Sequence, residues 1–336
     1  MAMFMQSRML KKLDHTLLVT VAIIMAFSLV IIYSATKDDE VLRGDFTKQI
    51  VHILLGLGVM VFVLYVQYED FIKHIKLLYI LNLVMLGAVL FVGDPTMGAQ
   101  RWLEIGPFTF QPSEFSKLLI IICFAVFLNS RQGKLNRLRD LIPCFAFIGV
   151  PMLLISKQPD LGTSLVFLAI MFGMLFAAGA RPALLAGLII GGLSLASLWI
   201  WAHFWFEANT SFSLWIPLED YQLQRLIIFI NPWPHWHGAG YQVIQSQIAI
   251  GQGGFWGRGL FQGSQTHGDF LPIRDTDFIF SVVGEELGFI GAAALLFLFF
   301  MLIYRCIYIA VNAKDNLGFL LTAGVISMLT FHVMLN

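Results

Sequence analysis

The sequence predicts an all-α polytopic membrane protein, and three observations carry that prediction. Hydrophobic residues make up 58% of the 336 residues and charged residues only 12%, whereas soluble domains carry about 25% charged residues. The apolar residues gather into windows of roughly 17 to 25 residues, the length of a helix that crosses a bilayer. Mostly short polar segments separate these windows, so we expect residues 1–336 to form a single transmembrane domain.

Nine apolar windows follow one another along the chain. The predicted spans are Thr16–Ala35, Ile50–Val66, Leu77–Val92, Phe115–Leu128, Leu141–Ile155, Ser164–Ala180, Ala183–Phe204, Phe278–Tyr304 and Leu317–Leu335. The first window is longer than the core of a signal peptide and no small-residue cleavage site follows it, so we interpret it as a retained helix. The fourth and fifth windows are short and need flanking residues to cross the membrane.

Basic residues indicate how the bundle is oriented. With a cytoplasmic N-terminus, twelve of the 21 Lys and Arg residues fall on the inner side and nine on the outer side. The positive-inside rule concerns short loops, and over short loops alone the ratio becomes twelve to five. We therefore expect residues 205–277 to form a long extracytoplasmic loop. The formal net charge of zero and the lack of a basic domain argue against a nucleic-acid partner.

The long loop is rich in aromatic residues, a composition that indicates a membrane interface or packing against the bundle rather than a disordered linker. Within it, the residue spacing predicts short helices at Tyr221–Ile230 and Tyr241–Ile250. Five glycines follow at residues 251–259 and allow tight turns or a close backbone approach. Long ordered loops are usually functional.

The segment after this loop is the first candidate for a functional site. Asp275 and Asp277 precede the eighth apolar window, and Glu285 and Glu286 lie two to three turns inside it. Ionisable groups are costly in hydrocarbon, so a chain that keeps four carboxylates here is expected to use at least one. For Asp277 the alternative is a helix cap, and for the two glutamates a structural hydrogen-bonding role is the favoured interpretation.

Three further clusters lie on the predicted outer side. Glu114 and Lys117 share one face at a helix start, although a capping arrangement around Ser113 is an equal alternative. Asp160 follows Lys157 between two spans, where a helix cap is favoured over a ligand role. Arg101 stands beside Trp102, so interfacial anchoring and anion binding are equally plausible.

Six outer-side cations suit a lipid diphosphate, because phosphate oxygens accept hydrogen bonds from Arg and Lys. They are Arg101, Lys117, Lys157, Arg225, Arg258 and Arg274. We expect them to contribute to one outer-leaflet cavity.

Four ordered motifs extend this interpretation. They are GAQRWLEIGPFTFQPSEFSKL at 98–118, KQPDLGTSL at 157–165, FINPWPHWHGAGYQVIQSQIAIGQGGFWGRG at 229–259 and LPIRDTDFIFSVVGEELGFIG at 271–291. With these motifs the chain resembles the SEDS family (shape, elongation, division and sporulation), and within it the cell-elongation branch. The resemblance implies a glycosyltransferase that polymerises lipid II outside the membrane, releases undecaprenyl diphosphate and works with a class B penicillin-binding protein.

The resemblance also implies roles for particular residues. Asp277 matches the family's essential carboxylate, and we expect it to be the general base of an inverting transfer. Glu114 and Lys117 match a charged pair that lines the family's central cavity, and Glu286 belongs to the family's acidic pair. Asp275 replaces a His of the family motif, which adds negative charge next to Asp277 or offers a second oxygen to a divalent cation such as Mg or Mn.

Two other classes of function remain open at this stage. A transporter of lipid-linked precursors would also place charges in a membrane cavity, with broken helices and inverted repeats as its signature, and no clear repeat is found. A non-catalytic scaffold is the third alternative. Within the family, a division or sporulation role is the alternative to elongation. Family members continue into a tenth span beyond Asn336, so the resemblance leaves this chain one helix short.

Overall fold

The computed structural model describes residues 13–39, 42–66, 72–93, 101–105, 108–158, 160–210, 215–216, 218–238, 240–268, 270–271 and 273–335. Helices dominate this part of the chain. They are α1 His15–Thr36, α2 Arg43–Leu64, α3 Ile75–Val92, α4 Pro112–Asn129, α5 Leu138–Ser156, α6 Leu161–Ala177, α7 Pro182–Asn209, α8 Asp220–Ile230, α9 Tyr241–Gly253, α10 Ser264–His267, α11 Ile279–Val311 and α12 Asn316–Leu335. A 3-10 turn occupies Trp233–His235, and β1 (Leu103–Ile105) pairs with β2 (Phe108–Phe110) in an antiparallel hairpin.

Each of the nine predicted apolar windows coincides with one helix. Among the described residues, eight helices are at least 18 residues long and apolar enough to cross a membrane, and α6 is a ninth apolar helix of 17 residues. The prediction of an all-α polytopic membrane protein is therefore confirmed. The two short windows gain the flanking residues they need, because α4 and α5 are 18 and 19 residues long. The two predicted loop helices form as α8 and α9.

Several local features differ from the prediction; among them, α2 begins at Arg43 instead of Ile50, and α11 continues to Val311 instead of ending at Tyr304. The hairpin β1–β2 was not predicted, although the sequence between its strands contains Gly-Pro, which favours turns. Helix α7 continues to Asn209 instead of ending before Trp205, since side-chain amide and hydroxyl groups near its end donate to its own carbonyls. Ser113 does not cap α4, because the N-cap residue is Gln111 and Pro112 takes the first helical position.

The chain divides into two compact units. The first comprises Met1–Gln67, Gln224–Tyr308 and Val333–Asn336, and the second comprises Tyr68–Leu223 and Ile309–His332. In the first unit α1 packs on α2, and α9 packs on α10. In the second unit α3, α4 and α5 pack on one another, and α6 packs on α4, α5 and α7.

The second unit has the larger hydrophobic core, and α4 lies at its centre. One face of α4 is buried over its whole length, from Ser113 to Leu128. Most of this face is aliphatic or aromatic, including Ile120 and Phe124, which are fully buried. Its first turns are polar and carry Ser116 and Lys117 on the buried side. The helix therefore projects a polar patch into an otherwise apolar interior.

The N-terminal helix of the first unit is held at its start by a capping carboxylate. Asp14 accepts a hydrogen bond from the Leu17 N–H at 2.8 Å and forms an ion pair with Arg305. The Arg305 guanidinium, with the Leu17 N–H, holds the pKa of Asp14 below its ordinary value. This pair joins the start of α1 to α11 within the same unit.

Candidate active site

The turn before α11 carries the carboxylates that the sequence singled out. Asp277 is exposed and Asp275 is partly exposed, whereas Arg274, which directly precedes Asp275, is buried. Arg274 donates from Nε to the carbonyl of Ala35 at 2.8 Å and lies 3.7 Å from the Asp39 carboxylate. The end of α1 therefore anchors the turn, and the two aspartates are presented on its open side.

Backbone strain marks the same turn. Ile273 has a φ of 57°, a left-handed conformation that β-branched residues rarely adopt. Its carbonyl accepts from Thr276 N and Phe278 N at 3.4 and 3.3 Å. Strained residues persist where the surroundings over-determine them, and they gather at functional sites. The anchored Arg274 supplies that constraint here.

Asp277 is not the N-cap of α11. The first-turn amides of Ile279 and Ser281 donate to the backbone carbonyls of Thr276 and Phe278. Within the described residues, no side-chain hydrogen bond or ion pair of Asp277 is formed. The capping alternative is therefore wrong, and the carboxylate is available to a ligand.

Helix α11 is interrupted at Gly288, where the backbone takes φ 63° and ψ −161°. The break frees backbone groups that hydrocarbon could not satisfy, and a glycine-rich loop after α9 binds them. Arg258 N and Gly259 N donate to the carbonyls of Glu285 and Glu286, each at 3.0 Å. Phe289 N donates in turn to Gly254 O at 2.9 Å. Gly253 and Gly257 thus serve a close backbone approach to α11, one of the two uses predicted for the glycines of this segment.

Glu285 is fully buried and holds the start of α10. Its carboxylate accepts from Gln265 N at 2.7 Å, from Thr266 N at 3.0 Å and from the hydroxyls of Thr266 and Ser264 at 2.8 and 3.3 Å. A carboxylate only accepts hydrogen bonds, and its two oxygens can accept all four of these. Glu285 therefore acts as an external cap for a helix that is too short to be stable alone.

Glu286 is equally buried but has fewer partners. Its Oε1 accepts from the Ser34 hydroxyl at 2.6 Å and lies 3.1 Å from His267 Nε2. The other ring nitrogen of His267 lies 2.7 Å from the Asp38 carboxylate. Among the described residues, Oε2 of Glu286 has no partner. The adjacent glutamates thus hold both ends of α10, while a substrate-binding role for Glu286 stays a prediction.

We expect Glu285→Gln to destabilise the protein by about 2 to 4 kcal/mol, since an amide NH₂ would face donors and leave buried groups unpaired. Glu286→Gln is the matched control. Its NH₂ fits the position of the unpartnered Oε2, so its thermal unfolding in detergent should stay close to that of the unmodified protein. Equal losses in the two variants would contradict this assignment.

In the second unit, Glu114 and Lys117 form the predicted pair. The Lys117 ammonium lies 2.7 Å from the Glu114 carboxylate, and its side chain is only 3% exposed. His332 of α12 places Nε2 at 3.1 Å from the same ammonium. These side chains line a cavity of about 270 Å³ with Phe115, Leu118 and Met328. On the same helix, the buried hydroxyls of Ser113 and Ser116 have no partner among the described residues.

The other predicted residues of this unit are Asp160, Arg101 and Lys157. Asp160 caps α6, accepting from the N–H and hydroxyl of Thr163 at 3.0 and 2.9 Å. Arg101 donates to the carbonyl of Gln158 at 3.1 Å, next to Lys157, which is exposed at the end of α5. The favoured capping interpretation of Asp160 is confirmed, and a ligand role for these residues stays a prediction.

The six predicted cations are divided between the two units. Arg101, Lys117 and Lys157 belong to the second unit, while Arg225, Arg258 and Arg274 belong to the first. Arg225 is exposed on α8, and Arg258 donates to the Ser264 hydroxyl at 2.9 Å. Their convergence on one cavity stays a prediction. Within the described residues, no group of three or more His, Cys, Asp or Glu is arranged to hold a metal ion.

Comparison with known proteins identifies the family. A family model described as "Cell cycle protein" (FtsW, RodA and SpoVE) matches residues 10–336. The chain belongs to the SEDS family. Stage V sporulation protein E of Bacillus subtilis is 36% identical to this SEDS chain over 327 residues, which cover 95% of this chain and 83% of that protein. Peptidoglycan glycosyltransferase MrdB of Escherichia coli K12 is 34% identical over 325 residues, covering 96% and 83%.

Two solved structures of similar proteins superpose on this chain. The SEDS chain superposes with a TM-score of 0.75 and 28% identity on a chain described under "Structural coordination of polymerization and crosslinking by a peptidoglycan synthase complex", covering 96% of this chain and 85% of that one. The crystal structure of the rod shape determining protein RodA of Thermus thermophilus matches with a TM-score of 0.67 and 27% identity, covering 96% and 83%.

Sequence reasoning about this SEDS chain missed several residues of the site. The residues that were not predicted are His332, His267, Asp38 and Ser34. A lone His in an apolar window is a weak signal, because its partner cannot be read from the sequence. The break at Gly288 had a signal in the glycine itself, but an isolated glycine within a helical pattern is usually tolerated.

Proposed function

We propose that this chain is a peptidoglycan glycosyltransferase that polymerises lipid II, with Asp277 as its general base. The observation that carries the proposal is the carboxylate of Asp277, which is exposed on an anchored turn and has no side-chain partner among the described residues. It belongs to a SEDS protein that is 34% identical to one named peptidoglycan glycosyltransferase. An acceptor can reach such a carboxylate without first displacing a protein partner. A buried or ion-paired carboxylate would lack that access.

The proposed reaction inverts the anomeric carbon of the donor sugar. The acceptor hydroxyl oxygen attacks this carbon and forms the β-1,4 bond, while the bond from the same carbon to the diphosphate oxygen breaks on the opposite face. The hydroxyl proton passes to Asp277, and undecaprenyl diphosphate leaves with the bonding electrons. Asp275 lies two residues away on the same turn and adds negative charge beside Asp277.

The leaving diphosphate gains negative charge during the transfer, and cations stabilise such charge best in a site that excludes water. Lys117 is buried and lines a cavity, so we propose that it contacts the diphosphate. Glu114 balances its charge before substrate binds. The other proposed substrate contacts are Arg101, Lys157, Asp160, Arg225, Arg258, Arg274 and Glu286. A divalent cation such as Mg²⁺, when bound, would be held by Asp275 and Asp277 together with the substrate diphosphate, because Mg²⁺ commonly takes one or two carboxylates plus phosphate oxygens.

The side of the membrane on which lipid II is polymerised is proposed from the distribution of basic residues. The chain is a multi-pass membrane protein, and we propose that Asp277 faces the extracytoplasmic side with the N-terminus in the cytoplasm.

A class B penicillin-binding protein is the proposed partner, since a similar chain occurs in a complex that coordinates polymerisation and crosslinking. Cell elongation and shape is the proposed role, and complementation of an elongation-deficient strain, with a division-deficient strain as the control, distinguishes it from the division role.

Reconstitution tests the proposal directly. The purified protein is mixed with lipid II and its partner penicillin-binding protein, and the products are separated on a gel. Glycan polymer is the expected result. Movement of lipid II across vesicle membranes without polymer would support the transporter alternative, which the break in α11 also fits. Neither polymer nor movement would favour a scaffold.

Lys117→Met is expected to lower lipid II turnover about a hundredfold, comparable to the loss of one preorganised donor. The substitution keeps a long apolar stem in a buried position, and the half-exposed Glu114 remains solvated. The amount of folded protein should therefore not change. Lys134→Met, at an exposed loop residue, is the control and should retain full turnover. Normal turnover with Lys117→Met would remove Lys117 from the site.

A further inference from the structure

We propose that His332 is a positioning residue for glycosyl transfer, which holds the Lys117 ammonium toward the cavity by accepting a hydrogen bond at Nε2. The two residues are 215 positions apart in sequence, and α12 brings the imidazole to 3.1 Å from the ammonium. This inference rests on the proposed function, in which Lys117 contacts the diphosphate.

The chemistry of the two groups assigns the direction of the hydrogen bond. An ammonium has three donors and no acceptor. His332 Nε2 must therefore accept, which places the ring proton of the neutral imidazole on Nδ1. Protonation of His332 would instead set a second N–H against the ammonium. The contact therefore requires the neutral ring.

The hydrogen bond to His332 holds the Lys117 ammonium so that its third N–H is available to a ligand in the cavity. Glu114 and His332 use two of the three ammonium hydrogens, and the cavity of about 270 Å³ lined by all three residues receives the third. A lysine side chain has many rotamers. Glu114 is on the same helix and its side chain is 52% exposed, so alone it is a weak constraint. An acceptor on a second helix fixes the ammonium in one position before substrate arrives.

Three substitutions at His332 separate positioning from packing. Gln places an amide oxygen at about the reach of Nε2, whereas Asn places it at about the reach of Nδ1, and Ala offers no acceptor. We expect His332→Gln to keep most of the activity. His332→Asn and His332→Ala should lower kcat for lipid II polymerisation about ten- to a hundredfold, the range for one hydrogen bond to a charged group, with a smaller change in KM. Equal activity of the Gln and Asn variants would overturn the proposal.

A double-mutant cycle tests whether His332 acts through Lys117. In the Lys117→Met background, His332→Ala should cause no further loss, because the group that it positions is gone. Additive losses would show an independent role and overturn the inference.

A readout without activity separates this inference from the proposed function. Amine-reactive labelling of Lys117, followed by mass spectrometry, should be faster in His332→Ala than in His332→Gln, with the exposed Lys134 as the reference. If the unmodified protein makes no polymer but this labelling difference appears, the proposed function fails while the contact stands. Equal labelling in both variants would overturn the positioning role whatever the activity.

Discussion

Replacing Asp277 with Asn is expected to lower the rate of lipid II polymerisation by about 10²- to 10⁴-fold, the contribution that a positioned general base makes. Asn has nearly the same shape but cannot take the proton of the acceptor hydroxyl. Because Asp277 is exposed and has no side-chain partner within the described residues, the substitution should not change stability. The measurement is the initial rate of polymer formation by purified, reconstituted protein.

Asp275→Asn is the matched control for this experiment. It removes the same charge from the same turn at a partly exposed residue, and the proposal gives Asp275 only an electrostatic influence on its neighbour. We expect a loss of less than about tenfold, consistent with the weak interaction of partly exposed charges. A near-normal rate with Asp277→Asn, or a larger loss with Asp275→Asn, would show that Asp277 is not the base.

Gly257→Ala is expected to have the largest effect on folding, about 3 to 5 kcal/mol of destabilisation. Gly257 has φ 80°, which costs an L-residue about 1 to 2 kcal/mol. A Cβ there would also collide with the backbone carbonyl of Glu286. Retreat of the loop would leave the carbonyls of Glu285 and Glu286 without their partners Arg258 N and Gly259 N, at about 1 to 3 kcal/mol for each buried group.

Gly251→Ala provides the comparison in the same glycine-rich segment. Gly251 lies within α9, and a Cβ added to it would meet nothing within 4 Å. Alanine is favoured over glycine in a helix by about 1 kcal/mol, so this variant should be as stable as the unmodified protein or slightly more stable. Thermal unfolding in detergent measures both variants. If Gly257→Ala unfolds at the same temperature as Gly251→Ala, the loop does not support the broken helix.

Both substitutions, Asp277→Asn and Gly257→Ala, act on residues that contact or precede α11. Its first segment follows the turn that presents Asp277, carries Glu285 and Glu286, and ends at the break that the glycine loop fills. Loss of the loop should therefore disturb the acidic pair, α10 and the candidate base together. Loss of the base alone should leave this assembly intact. Stability and activity measurements on the same variants distinguish these outcomes.

Much of the architecture could be predicted from the sequence because its cause is local. In hydrocarbon each backbone group must be paired within the segment, so an apolar window of sufficient length becomes a helix whatever surrounds it. All nine windows formed helices, and α8 and α9 formed where the amphipathic spacing of the residues predicted them. The motifs also identified Asp277 and the Glu114–Lys117 pair, since both lie within short, characteristic stretches of sequence.

The sequence by itself determined the membrane class, the helices and which carboxylates and cations are candidates for the site. Only the tertiary structure decided which of them have partners. Glu285 and Glu286 are adjacent and chemically identical, yet Glu285 accepts from four donors of α10, whereas one oxygen of Glu286 has no partner in the part of the chain that the structure describes. His332 reaches Lys117 from 215 residues away. Hydrogen bonds of this kind depend on positions that distant segments reach only after packing, and no local pattern encodes them.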